Sequence, residues 1–66
     1  MATTYEVTLR RARRFEREVR VIVHAVTAQQ AARAAERHNP GYRVRRVAAW
    51  VNGNWVDAGA WAMEPH

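Results

Sequence analysis

Residues Thr4–Arg11 alternate without a break: Tyr5, Val7 and Leu9 share one parity, Glu6, Thr8 and Arg10 the other. Successive side chains of a strand point to opposite faces, so this period of two predicts a strand with one buried face. Ala12, Arg13 and Arg14 end the alternation and predict a turn. A second strand is expected from Phe15 to about Val26. Phe15, Val19, Val21, Val23 and Ala25 fall on its apolar face, and Glu16, Glu18, Arg20, Ile22 and His24 on the other. Arg17 interrupts the apolar face near the turn, where its aliphatic stem can carry the charge out to water.

The period then changes. Thr27 and Gln30 stand in the spacing of a capping box, in which each side chain bonds to the other's backbone N–H. The helix that follows is expected to end at Asn39-Pro40-Gly41, because proline disfavours helical geometry in the residue before it. At about 100° per residue, Ala28, Ala31, Ala32 and Ala35 gather on one face, and Gln30, Arg33 and Arg37 on the opposite one. A methyl-only inner face lets the helix approach a sheet closely, so the bulk of the core must come from the strands.

Tyr42–Val51 reads as a third strand, and Asn52-Gly53 as a two-residue hairpin turn. Both central residues of a type I′ turn need positive φ, which Asn and Gly tolerate best. That turn pairs Val51 with Asn54 and sets Trp50 opposite Trp55; Trp61 keeps the parity of Trp55 if the fourth strand runs past Gly59. Two arrangements of this hairpin are possible. Tyr42, Val44, Ala48, Trp50 and Trp55 can face inward without a bulge, leaving Arg46 near one edge; the tryptophans then supply bulk that the alanine helix lacks. Alternatively Val47, Ala49, Val51 and Val56 face inward, and the tryptophans form an exposed patch. The first is adopted as the expectation. It leaves Ile22, Val47, Ala49, Val51 and Val56 on the opposite face, a candidate contact for a second copy of the chain. The expected fold class is α+β, in the order β-β-α-β-β. It comprises an antiparallel sheet with one α-helix packed across one face, forming a single small domain over residues 1–66.

Composition adds charge. All eleven basic residues are arginine, against six acidic ones, for a formal net charge of +5. Guanidinium is a permanently charged planar fork suited to phosphates, carboxylates and aromatic faces. The balance predicts a negatively charged macromolecular partner, protein or nucleic acid. Composition also excludes chemistry. With no cysteine and no serine, there is no disulfide, thiolate metal site or serine nucleophile. His24, His38 and His66 lack close metal-ligand spacing, and no cofactor or metal is expected. Glu16 and Glu18 stand among arginines and read as ion-pair partners; His24 as a base in a small ribonuclease is the one catalytic alternative. The expectation is a protein that is not an enzyme. The run Val19–Val26 is too short and too polar to span a bilayer, and with no secretory signal a cytoplasmic location is expected.

Gln30-Ala31-Ala32-Arg33, then Arg37, then Val51-Asn52-Gly53-Asn54-Trp55 resemble, at the same spacing, a segment of a family of small phage-encoded type I-F anti-CRISPR proteins. Tyr5 also fits, and about half the chain is covered position by position. The family has adjacent basic residues on its helix, whereas here Ala32 precedes Arg33. The resemblance implies an inhibitor of a crRNA-guided surveillance complex (Cascade/Csy), docking on its Cas7-type backbone and blocking target DNA hybridisation by occlusion, without mimicking DNA. Gln30, Arg33 and Arg37 would be the carried-over contacts. The hairpin arginines Arg10, Arg13, Arg14 and Arg20 are added as partner-binding candidates on charge alone. The alternative is a small arginine-rich DNA- or RNA-binding protein; on either reading the chain is expected to be a monomer or homodimer.

Overall fold

A computed structural model describes residues 2–11 and 18–58. Four strands and one helix follow in the order β1 (Thr3–Arg11), β2 (Glu18–Ala25), α1 (Ala28–His38), β3 (Tyr42–Val51) and β4 (Asn54–Asp57). The strands form one antiparallel sheet in the order β2-β1-β3-β4. This is the expected α+β layout. The turn at residues 12–14, the start of the second strand at Phe15 and the position of Trp61 lie outside the described residues.

The helix begins at the expected cap with one difference: the Gln30 side chain takes the Val26 N–H in place of that of Thr27. Thr27 is extended (φ −129°, ψ 158°); its hydroxyl accepts from the Gln30 N–H at 3.1 Å, and the Val26 N–H donates to Gln30 Oε1 at 3.3 Å. At the other end, the side-chain amide of Asn39 donates to the Ala35 carbonyl at 2.8 Å. Pro40 and Gly41 then turn the chain into β3, with the Tyr42 N–H bonded to the Asn39 carbonyl at 3.1 Å. Gly41 takes φ +88°, the value a type II turn requires at its third position.

Tyr5, Val7 and Leu9 of β1 meet Ala31, Ala32 and Ala35 of α1 and Val47 of β3 in the core. Val21, Val23 and Ala25 of β2 and Tyr42, Val44 and Ala49 of β3 pack round them. The methyl face of the helix thus lies on β1, β2 and β3; it does not reach β4. Val7, Leu9 and Val47 are the largest side chains fully removed from solvent.

The hairpin Tyr42–Asp57 departs from the expectation. Its turn is as predicted: Asn52 and Gly53 take φ 50° and 80°, Val51 pairs with Asn54 and Trp50 with Trp55. Its facing is not. Thr8 pairs with Arg46 but Leu9 pairs with Val44, so Arg45 is an extra residue on β3. This bulge reverses the parity along the strand. Tyr42 and Val44 face the helix before it, Val47 and Ala49 after it, and Trp50 and Trp55 are turned to the opposite face, 46% and 42% exposed. The reason is the cost of charge. Without a bulge, inward Val44 and Trp50 place Arg46 between them over the core, and burying an ion costs several kcal/mol. A bulge costs about one ladder hydrogen bond, net roughly 1 kcal/mol. Ile22 and the Val47, Ala49, Val51 and Val56 set, expected on one face, consequently lie on opposite faces of the sheet.

Candidate nucleic-acid interface

No described element packs on the sheet face that turns away from α1. The pairing register lays its side chains out in rows across the strands. Glu18, Arg10 and Arg43 form the first, Arg20, Thr8 and Arg46 the second, and Ile22, Glu6, Ala48 and Asp57 the third. Two residues further along come His24 and Thr4 on one side and the Trp50–Trp55 pair on the other. Arg45 joins this face from the bulge, where its Nε lies 3.1 Å from Glu18 Oε2; both partners are about half exposed. Arginines therefore concentrate at one end of the face and tryptophans at the other, with two carboxylates between.

The aromatic pair has a defined shape. The ring centroids are 4.9 Å apart and the planes meet at 65°, an edge-to-face contact. Directly opposed residues on an antiparallel hairpin come close enough for this, and the positive edge of one ring favours the negative face of the other. The arrangement leaves ring surface open to solvent.

The sequence-predicted site residues separate into two groups on opposite sides of the molecule. Arg10 and Arg20 lie on the open sheet face. Arg33 and Arg37 are exposed on the helix, one turn apart, and line a shallow groove of about 520 Å³ with Gln30, His24 and Val26. Gln30 is committed to the helix cap through both its backbone N–H and its side chain. Arg13 and Arg14 lie outside the described residues. Of the described candidates, Arg10 and Arg20 thus do not share a face with Arg33 and Arg37.

Missed from the sequence as site residues were Arg43, Arg45 and Arg46, while the outward Trp50 and Trp55 correspond to the arrangement that was set second. A signal was present: the apolar positions Val44 and Val47 are three apart with two arginines between, a spacing that period two cannot serve without a bulge. His24, the one catalytic alternative, has its Nδ1 3.0 Å from the Thr4 hydroxyl on the exposed edge strand. Among the described residues, no group of three or more His, Asp or Glu could hold a metal ion, and no helix is long and apolar enough to cross a membrane. No family model, curated protein or solved structure matches this chain.

Proposed function

We propose that this chain is a non-catalytic nucleic-acid-binding protein whose contact surface is the open face of the sheet. The observation that carries the reading is the gathering of Arg20, Arg43, Arg45 and Arg46 on one face that no described element covers. Glu18 offsets only part of that charge, and its exposed pair with Arg45 is worth about 0–1 kcal/mol, little enough to be exchanged for a phosphate. Each phosphate neutralised releases condensed counterions, so binding weakens steeply with salt. The test is a titration of mixed-sequence DNA and RNA with the full chain at several salt concentrations. Log affinity is expected to fall linearly with log salt, and Arg20→Glu with Arg46→Glu to flatten that slope by about 1 to 2. Affinity independent of salt, or unchanged by the double reversal, removes the sheet face from consideration.

A second reading is favoured by the helix. Arg33 and Arg37 lie exposed, one turn apart, beside the groove that Gln30 also lines. These are the positions that the resemblance to type I-F anti-CRISPR proteins assigns to contact with Cas7-type subunits. On that reading the protein occludes the guide from target DNA in the host bacterial cytoplasm. A gel shift of target duplex by a type I-F surveillance complex discriminates. Loss of the shift on adding the chain, restored by Arg33→Glu with Arg37→Glu, supports inhibition; an unchanged shift excludes that subtype.

A further inference from the structure

We infer that the sheet face takes a single strand, with a base stacked on the Trp50–Trp55 pair and phosphates on Arg20 and Arg46. The inference rests on the nucleic-acid reading above and specifies its ligand. Three features of the face carry it.

The first is the tryptophan pair itself. Indole is hydrophobic, yet both rings remain nearly half exposed, on the sheet face away from the core of Tyr5, Val7, Leu9 and Val47. The bases of a duplex are stacked on one another and offer only their edges, whereas an unstacked base offers a π-face of matching size. The second is the order of the rows. Trp50 is four residues from Arg46 on the same strand, roughly 13 Å at ~3.3 Å per residue. A strand crossing the sheet can therefore place a base at one end while its phosphates remain at the other.

The third is the row between them. Glu6 and Asp57 flank Ala48 there, on the same face as the arginines and tryptophans. Carboxylates repel phosphates but accept hydrogen bonds from the N–H groups of base edges. A rigid duplex laid over the face brings backbone charge onto this row. A single strand turns its bases toward the carboxylates and its backbone toward the arginines. Charge complementarity and aromatic surface thus select one ligand class, an unpaired stretch of RNA or DNA.

The test uses the full chain with a labelled twelve-nucleotide single strand of mixed sequence, as RNA and as DNA, and with the corresponding duplexes. Anisotropy reports binding, and intrinsic tryptophan emission reports stacking. Single strands are expected to bind at least tenfold more tightly than duplexes and to quench the emission. Trp55→Leu should weaken single-strand binding by about 5- to 150-fold, the range found for loss of one stacked base, without changing the salt slope. Trp55→Phe keeps an aromatic face and should recover much of that loss, which separates stacking from damage to the fold. Equal affinity for strand and duplex without quenching overturns this inference and leaves the nucleic-acid reading intact. No binding of any oligonucleotide overturns both. Full affinity in Trp55→Leu overturns stacking on that ring.

Discussion

At the scale of single residues, stability rests on few large side chains. Leu9 is fully buried, directly across β1–β2 from Val19 and against the alanine face of α1. Replacing a buried leucine by alanine costs about 2–5 kcal/mol. A chain of this length has only about 3–10 kcal/mol of total stability at typical per-residue values. Leu9→Ala is therefore expected to leave a large fraction of the protein unfolded at 25 °C, as read by urea titration of the circular dichroism signal. Thr27 acts on a smaller scale. Removing its hydroxyl orphans the Gln30 N–H, and Thr27→Ala should lower the unfolding free energy by about 1 kcal/mol. Thr27→Asp keeps an acceptor and should cost less; equal losses in both variants would show that the cap contributes nothing. These residue-level effects were readable in the sequence because the Thr27 cap bonds three residues on, and the alternation around Leu9 places it on the apolar face of its strand.

At the scale of elements, β3 is the strand whose behaviour decides the functional surface. Its bulge at Arg45 is the device that keeps Val44 and Val47 in the core while sending Arg46 and Trp50 outward. A second contact supports the irregular stretch: the Val44 N–H points away from β1 and donates to Glu36 Oε2 of the helix at 3.2 Å. Beyond it, β4 takes over on that side from Ala48 to Val51, and the Ala58 N–H extends the ladder to the Val47 carbonyl at 2.8 Å. Deleting Arg45 joins Val44 to Arg46 and restores one-to-one pairing with Leu9 and Thr8, leaving both halves of the strand on the faces they have now. The deletion is expected to change stability by no more than about 1 kcal/mol, the net worth of one hydrogen bond. Arg45→Ala keeps the residue count and loses only an exposed ion pair with Glu18, so it should change stability by less than about 1 kcal/mol. A loss of more than about 2 kcal/mol on deletion alone, read from urea titration, would show that Arg45 is not the residue in excess.

At the scale of the whole molecule, the two cationic surfaces are separated by the thickness of sheet and helix. Arg20, Arg45 and Arg46 belong to the open sheet face, Arg33 and Arg37 to the outer helix face and its groove. Sites with no shared partners act additively. Charge reversal at Arg33 and Arg37 should therefore leave oligonucleotide quenching of tryptophan emission unchanged, apart from a uniform weakening that vanishes as salt is raised. Reversal at Arg20 and Arg46 should weaken oligonucleotide binding at every salt concentration while leaving any helix-dependent partner unaffected. Titrating both double variants against the same oligonucleotide checks this; equal losses would mean that one ligand wraps both faces.

The elements and their local endings were legible in the order of residues alone. Alternation defined β1 and β2, the alanine face and the Thr27–Gln30 box defined α1, and Asn52-Gly53 set the pairing of Trp50 with Trp55. Each of these follows from contacts within a few residues, where periodicity and turn chemistry are strong signals. Only the tertiary structure decided which way β3 faces and which strands lie side by side. Placing β1 between β2 and β3 brings Arg20 and Arg46 to either side of Thr8, from positions 26 residues apart in the chain. Strand parity carries no memory across a bulge, and a bulge is chosen by what lies opposite it. Here that is the helix over Val44 and Val47, which admits valine and excludes guanidinium.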